Sequence, residues 1–188
     1  MSLPTNAKRV FKGVIFDVYH WQQKMFDGSL QTFEMLKRSN SILVLPIVGD
    51  KILISREEQP GKDRFLCLLG GRQEEGEEPL DAAKRELLEE SGLVSQSWEL
   101  WKTYEPNSKI DSCIHVFIAK DCEKKAEPHL DSGEKIELVP LNFGALLALA
   151  NDEDFKDMEV RIDLFRMILD PALAKEFRKK LFPRNTYK

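Results

Sequence analysis

One stretch constrains this chain more than any other: Leu68 to Leu93, LLGGRQEEGEEPLDAAKRELLEESGL. Leu80, Ala83 and Leu87 recur at i, i+3 and i+7, so residues from Pro79 onward predict a helix with one apolar stripe. Pro79 suits the first helical turn, and Gly92 suits the left-handed position just past the end. On the polar side Glu86 and Glu90 stand one turn apart, with Glu89 beside them. For a purely structural helix this is the wrong charge in the wrong place. Like charges at i,i+4 repel, and the negative C-terminal end of the helix dipole disfavours each anion by ~0.3–1 kcal/mol. A hard divalent cation among the carboxylates removes the conflict, because Mg²⁺ takes oxygen ligands and neutralises the cluster. The plain alternative is an acidic face turned to solvent, and the flanking residues decide between the two.

Those residues are Gly70-Gly71, closing an apolar run from Phe65 to Leu69 that predicts a strand, and an acidic loop with Gly76 and Glu77. Gly71, five residues, Glu77, seven residues, then Arg85-Glu86-Leu87-x-Glu89-Glu90-x-Gly92-Leu93 resembles the Nudix box at all nine of its specified positions. The resemblance implies an α/β fold, a Nudix-type α/β/α sandwich with a mixed sheet between helices. It also implies a pyrophosphohydrolase dependent on Mg²⁺ or Mn²⁺. The carried-over metal ligands are Glu86 and Glu90 with the carbonyl of Gly70; Glu89 bridges a second ion or orients water.

The rest of the chain bounds this reading. At 188 residues it fits one structural domain. A net charge of −4, a pI near 5.5 and no basic run argue against nucleic-acid binding. No apolar stretch is long enough for a membrane span or a leader. Cys67, Cys113 and Cys122 follow neither a disulfide nor a zinc spacing, which points to a cytoplasmic protein with reduced thiols. His20, His115 and His129 are scattered and receive no role.

Residues 1–40 predict a β-rich N-terminal extension, and 41–188 the Nudix domain with its C-terminal helices. In the extension, Val14–Trp21 and Thr32–Leu36 are strand-like, with Asp27-Gly28 as the hairpin turn. Such a β-hairpin resembles the N-terminal part of the ADP-ribose and nucleoside diphosphate sugar pyrophosphatases. There it implies a homodimer and a contribution to substrate binding. Among Tyr19, Trp21, Phe26 and Phe33, Trp21 and Phe33 are the candidates to stack on a base; filling the hairpin's own core is the competing role.

Ser41–Val48 and Lys51–Ser55, split by Gly49-Asp50, predict a second hairpin, and Arg56–Arg64 a polar loop. Trp98–Tyr104 and Asp111–Ala119 are further strands. The loop between them, Glu105-Pro106-Asn107-Ser108, departs from the family's Pro-Gly-Gly. Asp121–Gly133 is a polar loop ahead of a strand at Lys135–Val139. By position it resembles the family loop that supplies a further carboxylate to the metal or to the attacking water: Glu134 fits best and Asp131 is the reserve, while Ser132 stands where the family has its usual extra Glu. Phe143–Ala150 predicts a short helix. Asn151–Asp154 starts another, with Met158, Ile162, Phe165 and Leu169 as its stripe, and Asp170-Pro171 begins a last one to about Leu181 with Pro183 as its stop, all of them read as packing elements. The basic tail (Arg178, Lys179, Lys180, Arg184, Lys188) reads as a solvated end.

Arg72, after the glycine turn, reaches a phosphate or pairs with Glu74 or Glu75, while Arg85 and Glu77 brace the loop against the helix. The implied substrate is a nucleoside diphosphate sugar, such as ADP-ribose or an ADP- or GDP-hexose, cut to a nucleoside monophosphate and a sugar phosphate. Nucleoside triphosphate or dinucleoside polyphosphate hydrolysis is the nearest alternative. A nucleotide sensor without turnover is another, and it has no need of three like charges on one turn.

Overall fold

Both turn signals of the N-terminal half lie where the chain reverses: Gly28 and Gly49 take positive φ angles of 86° and 60°, which only glycine adopts freely. The computed structural model describes residues 2–106 and 108–183. In chain order its strands are β1 (Lys8–Lys12), β2 (Asp17–Lys24), β3 (Leu30–Lys37), β4 (Ser41–Val48), β5 (Lys51–Glu58), β6 (Phe65–Cys67) and β7 (Leu69–Arg72). Helix α1 (Pro79–Ser91) follows, then β8 (Leu93–Val94), β9 (Ser97–Tyr104), β10 (Ile110–Asp111), β11 (Ile114–Lys120), β12 (Glu123–Lys124) and β13 (Lys135–Leu141). The chain closes with α2 (Phe143–Ala148), a 3₁₀ turn (Leu149–Asn151), α3 (Met158–Leu169) and α4 (Pro171–Leu181). No helix of the described residues is long and apolar enough to cross a membrane.

The central sheet runs β13-β5-β4-β11-β9 and is mixed: β11 lies parallel to β4, the other pairings along it antiparallel. Its inner strands β4 and β11 are apolar on both faces, as a sheet covered on both sides requires. Ile42 and Val44 of β4 and Phe117 and Ala119 of β11 face α1 through Ala82, Ala83 and Leu87. Leu45 and Ile47, with Val116 and Ile118, face the other layer, built from Leu146, Phe155, Leu164, Phe177 and Leu181. Two layers of helix around one sheet make the expected α/β/α sandwich.

The region that becomes the site arises from a splay. β4 and β5 pair only beside their turn, at Ile47↔Ile52 and Val48↔Lys51. Farther along they part, and β6 and β7 fill the gap. Cys67 pairs with Ser55 of β5, and Leu69 with Val44 of β4. The single strand expected at Phe65–Leu69 is therefore two short ones that change partner at Leu68. The Leu68 amide, released from both ladders, donates to Asp157 Oδ2 at 2.7 Å.

Three further expectations are corrected. The strand expected at Val14–Trp21 begins at Asp17, because Gly13 and Phe16 close a turn (N–H to O, 3.1 Å) after an additional strand, β1. A side chain at Gly13 would collide with the Phe16 carbonyl, and the charged KRVFK of β1 concealed its strand character. Asn151–Asp154 does not start α3: those residues form the 3₁₀ turn and a loop that brings Phe155 beside Leu66, and the helix begins at Met158. The stripe Met158, Ile162, Phe165 and Leu169 faces outward, with Leu169 83% exposed, whereas Val160, Asp163, Leu164 and Met167 face in. The inward face carries three core residues, Val160, Leu164 and Met167, and a buried Asp163 whose carboxylate accepts from Tyr104 Oη and pairs with Lys102 and Arg166. Lys180 of the basic segment pairs with Glu99 at 2.6 Å, while Arg184 and Lys188 lie outside the described residues, as does Asn107.

Candidate active site

The box helix is capped as its sequence directs, with Pro79 in the first turn and Gly92 at φ 68°, its N–H on the Leu88 carbonyl. Its buried face carries Ala82, Ala83 and Leu87 together with two carboxylates, Glu86 and Glu90, only 9% and 6% exposed. These carboxylates lie against β7, where two glycines make room. A Cβ at position 71 would stand 2.5 Å from Glu86 Oε1. At position 70, where φ is +142°, it would collide with the Ile42 carbonyl oxygen. The Gly70 amide donates to Glu90 Oε2 at 2.7 Å.

Arg85 organises the rest of the box. Its Nε and Nη2 grip the two oxygens of Glu77, each at 3.0 Å, and Nη2 also donates to the Arg72 carbonyl. Its Nη1 donates to Glu86 Oε1 at 2.9 Å and to Glu89 Oε2 at 3.1 Å. The expected bracing pair, Arg85 and Glu77, is thus present, and Arg85 holds the Glu77 carboxyl below its ordinary range. Burial works the other way on Glu86, whose pKa rises despite Arg85, and on Glu90, which is pushed up to about 9.

Among the described residues no three His, Cys, Asp or Glu side chains converge as a ready-made metal cage: Glu90 is turned to Gly70, and Glu86 and Glu89 to Arg85. The donor set nevertheless fits a hard divalent cation. It is all oxygen, and two of its carboxylates are buried deeply enough that their anionic forms call for a compensating positive charge.

Two acids that sequence reasoning missed extend the cluster. Glu57, at the end of β5, is 7% exposed and accepts from Ser55 Oγ and Cys67 Sγ, both at 2.9 Å. Its negative charge adds to the upward shifts of Glu90, Glu134 and Asp157. Asp157, ahead of α3, is pushed up to about 7, first by burial and then by Glu57. The alternation Ser55-x-Glu57 on one strand face is the only sequence signal for this arrangement. Cys67 is no nucleophile, since burial and Glu57 both drive its thiol upward.

The 121–134 loop is pinned at the end of the box helix: the Lys125 and Ala126 amides donate to the Gly92 carbonyl, and the His129 amide to the Glu89 carbonyl at 2.7 Å. Beyond His129 the loop turns, with the Glu134 amide on the Asp131 carbonyl. Glu134 is half-buried and its pKa is raised by burial, then by Glu57, Asp131 and Glu89, whereas Asp131 is exposed. A cleft of about 340 Å³ lies between this turn and the Pro60-Gly61 loop, with Lys62 and Lys135 on its walls.

The remaining candidates lie on the N-terminal side. Arg72 ends β7, is exposed, and makes no ion pair with Glu74 or Glu75 among the described residues. Its register partner Ser41 accepts from Arg38 Nη2 at 3.3 Å, and the buried Arg38 Nε has no hydrogen-bond partner among the described residues. Sequence reasoning overlooked Arg38. Trp21 and Phe33 face each other across β2 and β3 with ring centroids 5.7 Å apart, and Lys109 Nζ stands 5.1 Å over the Phe33 ring. Phe33 and Lys109 line a groove of about 560 Å³ on this sheet, separate from the carboxylates. Tyr19 opposes Met35 in the same ladder, and Phe26 is fully exposed at the turn.

Comparison with known proteins agrees with this geometry. The NUDIX domain model matches residues 37–158. An ADP-ribose pyrophosphatase of Bacillus subtilis (strain 168) is 26% identical over 90% of this chain and 94% of its own length. A methanol dehydrogenase activator of Bacillus methanolicus is 22% identical over 89% and 92%. A crystal structure of an ADP compounds hydrolase superposes with a TM-score of 0.74 at 22% identity, covering 94% of this chain and 93% of that one, which confirms the fold. With the complete box on a buried helix face and the family model spanning well over half its length, the chain belongs to the NUDIX domain family and is a Nudix hydrolase.

Proposed function

We propose that the protein is a divalent-metal-dependent pyrophosphohydrolase that cuts the diphosphate of a nucleoside diphosphate sugar, of the ADP-ribose or ADP- or GDP-hexose kind. The products are a nucleoside monophosphate and a sugar phosphate. The observation that carries the reading is the pair Glu86 and Glu90, buried against Gly70-Gly71 with the Glu90 carboxyl pushed up to about 9. Glu86, Glu90 and the Gly70 carbonyl would hold Mg²⁺ or Mn²⁺, with Glu89 at the edge toward a second ion. When bound, such an ion neutralises the diphosphate and acidifies water.

The chain's own residues do the rest. Glu134 takes the proton of the attacking water as a P–O bond forms; the opposite P–O bond of the anhydride breaks, and the electron pair leaves on the departing phosphate. Raised by burial and by the acids around it, Glu134 is poised as a base nearer neutrality than a free carboxylate. Asp131 is its alternative. Arg72, at the mouth of the glycine turn, neutralises a phosphate oxygen. Trp21 and Phe33, on a groove separate from these carboxylates, would offer their aromatic surface to a base across the homodimer, with Lys109 beside them. The substrate assignment also draws on the similarity to the Bacillus subtilis ADP-ribose pyrophosphatase over nearly the whole of both chains. A homodimer and a cytoplasmic setting belong to the same reading, the latter supported by the free thiols of Cys67, Cys113 and Cys122.

The test is a panel of nucleotide sugars, nucleoside triphosphates and dinucleoside polyphosphates with Mg²⁺, each product identified. A nucleoside monophosphate plus a sugar phosphate, formed fastest from a diphosphate sugar, is expected. Preferential release of pyrophosphate from triphosphates would move the assignment to that class, and binding without turnover would make the protein a sensor.

A further inference from the structure

We infer that Asn40 is a positioning residue for the box, locking the joint between the two sheets to the loop that orients Arg85, Glu86 and Glu89. Asn40 lies on the first connection between the N-terminal and central sheets, between β3 and β4. The second connection, between β10 and β11, passes it at Cys113. Asn40 ties the two: its Oδ1 accepts from the Cys113 amide at 2.8 Å, and the Cys113 carbonyl accepts from the Ser41 amide at 2.9 Å.

It also reaches into the box. The Gln73 amide donates to the Asn40 carbonyl, and Asn40 Nδ2 donates to Gln73 Oε1, both at 3.0 Å. Gln73 Nε2 donates in turn to the Glu77 carbonyl. The Glu77 carboxylate holds Arg85 at two points, and Arg85 holds Glu86 and Glu89. Asn40 therefore stands at the head of an unbroken relay that ends on the proposed metal carboxylates.

The relay has one sense only. Turning the Asn40 amide over would set its NH₂ against the Cys113 N–H and its oxygen against Gln73 Oε1. Turning Gln73 over would set two NH₂ groups together at Asn40 and two oxygens together at the Glu77 carbonyl. Asparagine is the short side chain that offers a donor and an acceptor at once. Aspartate keeps the bond to Cys113 but opposes Gln73 Oε1 with a second acceptor, and rotating Gln73 only transfers the conflict to Glu77. Asn40→Asp thus cuts one link at almost unchanged size.

This inference rests on the hydrolase reading above. The experiment measures Mn²⁺ affinity by electron paramagnetic resonance without substrate, and kcat, KM for ADP-ribose and Tm with Mg²⁺. Asn40→Asp is expected to weaken Mn²⁺ binding and lower kcat about 10-fold, the lower end of what loss of a partner behind a metal ligand costs, with KM nearly unchanged. Gln73→Glu, which removes the donor to Glu77, should do the same. Val160→Ala, a buried truncation on α3, supplies the comparison: it lowers Tm and leaves Mn²⁺ affinity alone. Wild-type Mn²⁺ affinity and kcat in Asn40→Asp, or losses no greater than those of Val160→Ala at equal Tm, overturn the inference. If Asn40→Asp fails to fold, Gln73→Glu decides by the same criteria. A wild-type protein that neither binds Mn²⁺ nor turns over ADP-ribose sinks the hydrolase reading instead.

Discussion

Glu90 is held in a place that its charge resists. Among the described residues the Gly70 amide is its one hydrogen-bond donor; burial is the largest influence on it, and Glu57, Glu86 and Glu134 all push the same way. Its pKa in the fold, about 9, lies above the ordinary 4.5, so the folded state binds the proton more tightly than the unfolded chain. That contribution to stability is complete below about pH 4.5 and is lost as pH rises through 9. Glu90→Gln keeps an acceptor for the Gly70 amide and cannot ionise. In chelator, the variant's Tm should equal or exceed the wild type's, with the gap widening toward pH 9, while turnover with Mg²⁺ falls by roughly 10²-fold or more. Near wild-type turnover would remove Glu90 from the proposed ligand set. The box acids stood out in the sequence because like charges stacked at the wrong end of a helix dipole are a local anomaly, and the resemblance of the surrounding residues to the Nudix box decided against a solvated acidic face. Glu57 was not, since Ser-Arg-Glu-Glu at a strand end reads as the start of a loop. Its burial depends on β6 crossing to pair with β5, a contact made across the fold.

At the scale of elements, the 121–134 loop is anchored at both ends. The amides of Lys125, Ala126 and His129 are tied to the last turn of α1 and its cap, and the turn at Asp131–Glu134, closed by its own backbone bond, leads directly into the ladder that pairs Lys135 with Glu58. Glu134 therefore sits between two fixed points, at the edge of the carboxylate cluster that raises its pKa. Neutralising a group that only accepts a proton depresses kcat and spares binding. Glu134→Gln should lose about 10²–10⁴-fold in kcat at saturating Mg²⁺, and Asp131→Asn far less. The reverse ranking would transfer the role to Asp131. The helices show where pattern reading runs out. The periodicity that located α1 is also present in Met158, Ile162, Phe165 and Leu169, yet that stripe faces solvent. A second apolar stripe, Val160, Leu164 and Met167, is the one buried, with Asp163 among it, and no reading of local periodicity reveals a partner such as Lys102 on a distant strand.

For the whole molecule, the N-terminal sheet leaves much apolar surface uncovered: Val10, Phe11, Val14, Ile15, Phe26 and Leu30 are all exposed. Few-stranded ribbons gain little stability alone, and a two-fold pairing of identical surfaces is the commonest way to cover such a face. Light scattering at micromolar concentration should give twice the chain mass, and Phe11→Asp should shift it toward the monomer. A monomeric wild type would remove the dimer and weaken the nucleotide-sugar assignment with it. The same sheet has a composition that sequence order hides. Its fourth strand is β10, which pairs parallel with β3 through Ile110↔Leu36 and Asp111↔Lys37, and the Leu3 amide reaches the Asp111 carboxylate. The extension is thus encoded in two pieces some seventy residues apart, with the box between them. A recombination event, or an engineer, exchanging only the first forty residues for those of a relative would deliver a sheet mismatched to its outermost strand. The segment around residues 108–113 must travel with it, so the two pieces are expected to be inherited as a linked pair.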